Sequence, residues 1–150
     1  MIPRSALIGL LVATALASPA FAGDLVVIVH ADRDVRLTRA EVAQIYLKQR
    51  RFWENGDSIV PVNRNSGSEA REAFVRLVFG EAGQRLEVYW NRQYFQGILP
   101  PATLASDEAV KRFVASERLA IGYISPGLVD ASVKVVLRIA DPRVPTSASP

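Results

Sequence analysis

The residues with the most chemical promise fall in one short stretch, Val62-Asn63-Arg64-Asn65-Ser66-Gly67-Ser68-Glu69-Ala70-Arg71. An apolar, β-branched segment runs into it and a helical pattern runs out of it. It therefore spans a strand-to-helix junction, where free backbone N–H groups and the positive end of the helix dipole converge. Gly67 lets an anion approach the backbone closely, and Ser66 and Ser68 carry hydroxyl donors. Arg64 adds a guanidinium able to hold two oxygens at once. Arg64, Asn65, Ser66, Gly67, Ser68 and Arg71 are thus candidates for an oxyanion cradle. The same residues have a plainer reading. Ser66-x-x-Glu69 is a capping box whose hydroxyl would itself satisfy the helix amides, and Glu69 would repel an anion.

Other groups are more weakly marked. Tyr123 and Ser125 end an apolar run, the place where α/β proteins hold ligands, and are candidate pocket-lining residues. His30, followed by Asp32 and Asp34, reads either as a metal or acid–base site or as an ordinary surface loop. Tyr89, Trp90, Tyr94 and Phe95 read either as a ligand-stacking patch or, more simply, as helical core. Lys48-Gln49-Arg50-Arg51 reads as a solvated helix end or as a contact for an anionic surface. The 150 residues contain no Cys and one His. Thiolate metal sites, disulfide scaffolds and Cys nucleophiles are excluded, and a Ser-His-Asp triad would have to use His30. No pair of carboxylates has the spacing of an acid–base couple. The expectation is a binding protein, not an enzyme, with no catalytic residue, no metal and no cofactor.

The elements that must position these residues follow from periodicity. Residues 25–29 (LVVIV) form an unbroken apolar run, a strand covered on both faces. Thr38 and Glu41 make a capping box, and Val42, Ile45 and Tyr46 follow at helical spacing, predicting a helix over 38–48 with cations at its C-terminal end. A strand over 59–62 contains Pro61, which suggests an edge or strand-end position. A helix opening at Ser66 carries Ala70, Phe74, Leu77 and Val78 and stops at Gly80. Leu86, Tyr89, Trp90 and Phe95 suggest a further helix or two short ones, ending near Gly97, and another helix is expected after the N-cap Ser106, with Val110, Phe113 and Val114 on one face. Residues 120–124 and 133–139 are strands. In the second, Val133, Val135, Leu137 and Ile139 are expected to share a face. The alternation predicts an α/β fold, a small mixed sheet flanked by helices.

At the amino terminus, Arg4 precedes a dozen small or apolar residues ending in Pro19-Ala20-Phe21-Ala22. This is the pattern of a cleavable signal peptide over 1–22, cut before Gly23, since a membrane span needs roughly 20 apolar residues. An α/β domain over 23–141 and a disordered tail over 142–150 complete the predicted organisation. Removing 22 of the 150 residues leaves 128, and one Arg and no acid go with them, so +3 becomes +2. That near-neutral balance, together with export to the periplasm, argues against nucleic acid as a partner.

From residue 37 to residue 124 the order of features resembles the periplasmic phosphate-binding proteins of ABC transporters. The matching pieces are Leu37-Thr38-Arg39-Ala40-Glu41-Val42-Ala43-Gln44-Ile45-Tyr46, then Trp53, then Ile59-Val60-Pro61-Val62. Arg64 with Ser66-Gly67-Ser68 follows, at the head of a helix containing Phe74, and the match closes on Ala120-Ile121-Gly122-Tyr123-Ile124. The resemblance implies a solute-binding α/β lobe whose Arg64, Ser66, Gly67 and Ser68 contribute phosphate ligands. Full members are much longer, clamp phosphate between two lobes and carry a second phosphate loop near the N-terminus. Their pattern is close to Arg-x-Asp-Gly-Ser-Gly-Thr. Aligned on Ser66-Gly67-Ser68, Arg64 stands where that pattern has its Asp. The resemblance thus implies a short single-lobe relative that binds phosphate or a similar oxyanion weakly. The alternative expectation is a periplasmic interaction or sensory module, docking on an envelope protein, that kept the fold and lost the pocket.

Overall fold

The apolar run at 25–29 becomes β1 (Leu25–His30), and its place in the sheet explains why no polar residue interrupts it. It lies between β4 (Ala120–Ile124) and β5 (Val133–Ile139), antiparallel to both. Leu25, Val27 and Val29 enter one core, and Val26 and Ile28 enter the other. A strand covered on both faces has no solvent side for a polar residue. The structure is a computed structural model describing residues 23–143. The predicted signal segment and residues 144–150 of the predicted tail lie outside the described residues.

The sheet has five strands in the order β3-β2-β4-β1-β5. Here β2 (Val60–Arg64) runs parallel to β4 and to the short β3 (Ala102–Leu104). Helices α1 (Arg39–Tyr46) and α2 (Glu69–Phe74) cover one face, contributing Val42, Ile45, Tyr46, Ala70, Ala73 and Phe74. On the other face α4 (Asp107–Ser116) presses Val110 and Val114 onto Val26, Ile28, Val62 and Ile124. This is the small mixed sheet flanked by helices that the alternation predicts. The capping box of α1 forms as read: Glu41 N–H donates to the Thr38 hydroxyl at 3.2 Å and Thr38 N–H to the Glu41 carboxylate at 2.8 Å.

Several local expectations are corrected. Of the two positions expected for Pro61 the structure gives the strand end and not the edge, because β2 lies second in the order. Pro61 stands at the strand's entry, where only β4 is paired and β3 has yet to join at Val62. The short β3, just after Pro100-Pro101, has no apolar alternation and carries no sequence signal. Ser68, not Ser66, caps α2, accepting from Arg71 N–H at 3.2 Å. Gly67 takes φ +82°, so the turn consumes two more residues before the helix begins. In β5 the expected single apolar face is split by a register shift opposite Val27/Ile28. Val133 and Val135 face the α4 core, while Leu137 and Ile139 face the other. No cation sits in the last turn of α1, and Arg50 instead returns to Glu41 at 3.0 Å.

The aromatic helix departs most from expectation. After α2 the chain continues as a π-helical stretch (Val75–Phe79), a 3-10 stretch (Gly80–Arg85) and α3 (Leu86–Tyr94). No residue of α3 is buried. Tyr94 and Phe95 are 65% and 88% exposed, so these aromatics are not core. Tyr89 ties the helix down by donating its hydroxyl to the Leu47 carbonyl at 2.7 Å.

The contact between α4 and the sheet depends on Gly122. A Cβ there would meet Val110 Cγ1 at 2.5 Å, Val114 Cγ2 at 3.2 Å and Val62 Cγ2 at 3.3 Å. Gly122→Ala is expected to destabilise the protein by about 1–3 kcal/mol through overpacking. Urea unfolding measures this, and an unchanged midpoint would contradict the close approach.

Candidate functional site

The candidate site forms where β2 and β4 part. Their ladder consists of Val60 against Ala120 and Pro61 against Ile121. Beyond that point side-chain hydroxyls take over. Tyr46 Oη faces the carbonyls of Val62 and Ile121 at 2.9 and 3.3 Å. Further on, Tyr123 donates its hydroxyl to the Asn63 side-chain oxygen and accepts from Arg64 N–H at 3.2 Å. Both tyrosines are anchored by Phe74 of α2, whose ring stacks on Tyr123 at 3.9 Å and tilts against Tyr46 at 4.6 Å. Burial pushes the Tyr123 phenol up to about 12, partly offset by the bond from Arg64 N–H and by the Arg71 and Arg64 charges. Burial likewise raises Tyr46, reinforced by Tyr123 and eased by Arg71. Both therefore remain neutral donors at physiological pH.

This scaffold fixes the backbone of Arg64 and sends its side chain across the strand ends to α4. The guanidinium donates through Nη1 to the Asp107 carboxylate and through Nη2 to the Ala105 carbonyl at 3.2 Å. Both side chains of the pair are nearly buried, at 13% and 12% exposure. The second Asp107 oxygen accepts Ser125 N–H and the Ser125 hydroxyl, each at 2.9 Å. One carboxylate thus gathers a guanidinium, a backbone amide and a hydroxyl, the donor set that recognises an oxyanion. The Arg64 Nε is buried with no hydrogen-bond partner among the described residues.

The other predicted residues surround this centre. Arg71 donates through Nη1 to the Arg64 carbonyl at 3.0 Å. Asn65, Ser66 and Gly67 are exposed at the loop crest, and Ser68 is half-buried. Asn65 N–H donates to the Leu104 carbonyl at 3.2 Å, which ties the loop to β3. Tyr123 is core, with its hydroxyl alone reaching the strand end, whereas Ser125 stands beside Asp107. Sequence reasoning treats Asp107 only as an acid in the first turn of α4. Nothing in the chain signals its pairing with Arg64, because 43 residues separate them.

His30, Asp32 and Asp34 lie at the opposite end of the sheet, in an open cleft of about 600 Å³ shared with Arg33, Trp53 and Arg118. His30 Nδ1 accepts Asp32 N–H at 3.1 Å, and Asp32 pairs with Arg118 at 2.7 Å. Arg33 stacks over the Trp53 ring at 4.3 Å. Among the described residues no group of three or more His, Cys, Asp or Glu is arranged to hold a metal ion.

Solved structures share this fold over three quarters of the chain. One is assigned as a phosphate ABC transporter substrate-binding protein with bound phosphate, from Clostridium perfringens. It is 28% identical, with TM-score 0.59, over 75% of this chain and 43% of its own. Over 75% of its length the chain is similar in structure to phosphate ABC transporter substrate-binding proteins. An ABC-type phosphate transport receptor from Vibrio cholerae matches at 25% identity and TM-score 0.59, over 75% of this chain and 44% of its own. PstS from Borrelia burgdorferi shares the fold, with TM-score 0.61 at 18% identity. The chain spans less than half the length of these structures, and its fold corresponds to one periplasmic binding protein lobe. No family model and no curated protein matches the chain.

Removing the Asp107 charge leaves Arg64 nearly buried without a counter-charge. Asp107→Asn is expected to lower stability in a non-coordinating buffer by about 1–3 kcal/mol. Ser125→Ala should cost less, since the carboxylate keeps its guanidinium partner. Chemical denaturation of both variants checks the ranking, and an unaltered Asp107→Asn midpoint would contradict it.

Proposed function

We propose that the chain is an exported, periplasmic binding domain that holds phosphate or a similar oxyanion reversibly and weakly, without chemistry. The ligand would lie against the loop Arg64, Asn65, Ser66, Gly67 and Ser68, with Arg71 and Ser125 at its border and Tyr123 holding the strand ends from below. The single observation carrying this reading is the Asp107 carboxylate, which is held by Arg64 and Ser125 as an oxyanion's oxygens would be. Support also comes from the solved structures described as phosphate-binding, one of them with phosphate bound. Among the described residues no helix is long and apolar enough to cross a membrane.

Weakness follows from magnitudes. Micromolar affinity requires about 8 kcal/mol, whereas phosphate has five heavy atoms and the best small ligands gain about 1.5 kcal/mol per atom. Reaching that ceiling takes an enclosed, desolvated site. This loop is open, and any ligand of Arg64 competes with Asp107.

A second reading, a module that docks on an envelope protein or sensor, is favoured by the exposed side chains of Val88, Tyr94, Phe95 and Leu99 on and just after α3. Thermal melting separates the two. An oxyanion site gains about 1–3 °C in tens of millimolar phosphate and loses the gain in Arg64→Ala. A docking module gains nothing even as wild type. Calorimetry is expected to give a millimolar Kd for a monomer, and a micromolar Kd would overturn the proposed weakness.

A further inference from the structure

The first described residue is folded into the domain. Gly23 is buried against Asp141, and a Cβ on Gly23 would stand 2.7 Å from the Asp141 carboxyl carbon. Ordinary bond lengths then place the Gly23 nitrogen within about 5 Å of that carbon. The Asp141 side chain is 1% exposed, and its backbone N–H donates to the Asp24 carboxylate at 2.8 Å. Arg76, from the π-helical stretch, reaches the Asp141 carboxylate at 2.6 Å, and Arg143 reaches it at 3.1 Å. The charged groups around Gly23 are therefore Asp24, Asp141, Arg76 and Arg143, two of each sign. In the uncut chain the Gly23 nitrogen is a neutral amide. The Ala-x-Ala pattern at Ala20 and Ala22 places a signal-peptidase cut immediately before it.

We propose that cleavage between Ala22 and Gly23 fastens the first strand to the last, by creating a Gly23 ammonium that pairs with the Asp141 carboxylate. A signal peptidase hydrolyses the Ala22–Gly23 C–N bond. Water supplies hydroxyl to the Ala22 carbonyl, which leaves as a carboxylate, and protons to the Gly23 nitrogen. The new charge lies within the range at which opposite charges stabilise one another. Glycine is the residue that fits, because any Cβ would collide with Asp141. The β1–β5 pairing begins two residues on, at Leu25 against Ile139, so the ion pair closes the end of the central ladder. This inference rests on the export proposed above and is independent of anion binding.

The test begins with the full precursor expressed in an exporting bacterium. N-terminal sequencing of the periplasmic product is expected to start at Gly23. A cytoplasmic, uncut product would overturn export, and an exported product with another start would overturn this inference alone. Melting temperatures are then compared for chains beginning at Gly23 and at Ala22. The Gly23 chain is expected to melt about 2–4 °C higher, a gap that closes when both carry Asp141→Asn. Equal melting of the two wild-type chains overturns the inference. Where Asp141→Asn does not fold, acylation by an amine-reactive ester replaces it. The Gly23 amine should react several-fold more slowly than the Ala22 amine, and equal rates overturn the pairing.

Discussion

A guanidinium that is nearly buried must be matched by negative charge, and around that requirement the candidate site of this domain is built. Arg64 is carried to the strand end by β2 and cannot withdraw into water, because its backbone is held by Tyr123 and Arg71. Asp107, on α4, supplies the match and is itself fixed by Ser125 from β4's exit. β2, α4 and the end of β4 are thereby joined through one carboxylate. On the proposed reading an oxyanion would take the place of Asp107 and inherit the donors it leaves.

The geometry beneath this pair comes from the way the strands separate. A complete ladder between β2 and β4 would leave no gap at their carboxyl ends. Instead the pairing ends after Pro61, and the Tyr46 and Tyr123 hydroxyls serve the Val62 carbonyl and the Arg64 N–H beyond it. Buried polar groups tolerate such a gap only when they find partners. The Phe74 ring packs against both tyrosines, which also touch each other, and so ties helix packing to the spacing of the strands. On the opposite face Gly122 lets α4 approach closely, which brings Asp107 within reach of Arg64. Core packing on both faces of the sheet therefore sets the geometry of the pair.

Much of this was legible before the structure. The unbroken run at β1, the Thr38–Glu41 cap and the Ser106 cap are local signals, and each appears where periodicity places it. So does the candidate loop from Arg64 to Arg71. What escaped is non-local. The Arg64–Asp107 pair spans 43 residues, and no pattern within either segment points to the other. The bulge in β5 depends on its register with β1, so the alternation of Val133, Val135, Leu137 and Ile139 misleads. Gly67 moves the cap from Ser66 to Ser68 because a left-handed turn intervenes, a choice that Ser-x-x-Glu spacing cannot reveal. The aromatics of α3 read as core through composition alone, whereas the chain leaves them on the surface.

The proposed internal-anion role of Asp107 would tie these features to binding, and calorimetric titration of phosphate into the wild type and Asp107→Asn tests it most directly. If Asp107 occupies the place of the ligand, its neutral isostere should bind phosphate about tenfold more tightly or better, equivalent to about 1.4 kcal/mol. Equal or weaker binding by Asp107→Asn would show that Asp107 supports the site without competing for it, and would contradict the proposed exchange of one anion for another.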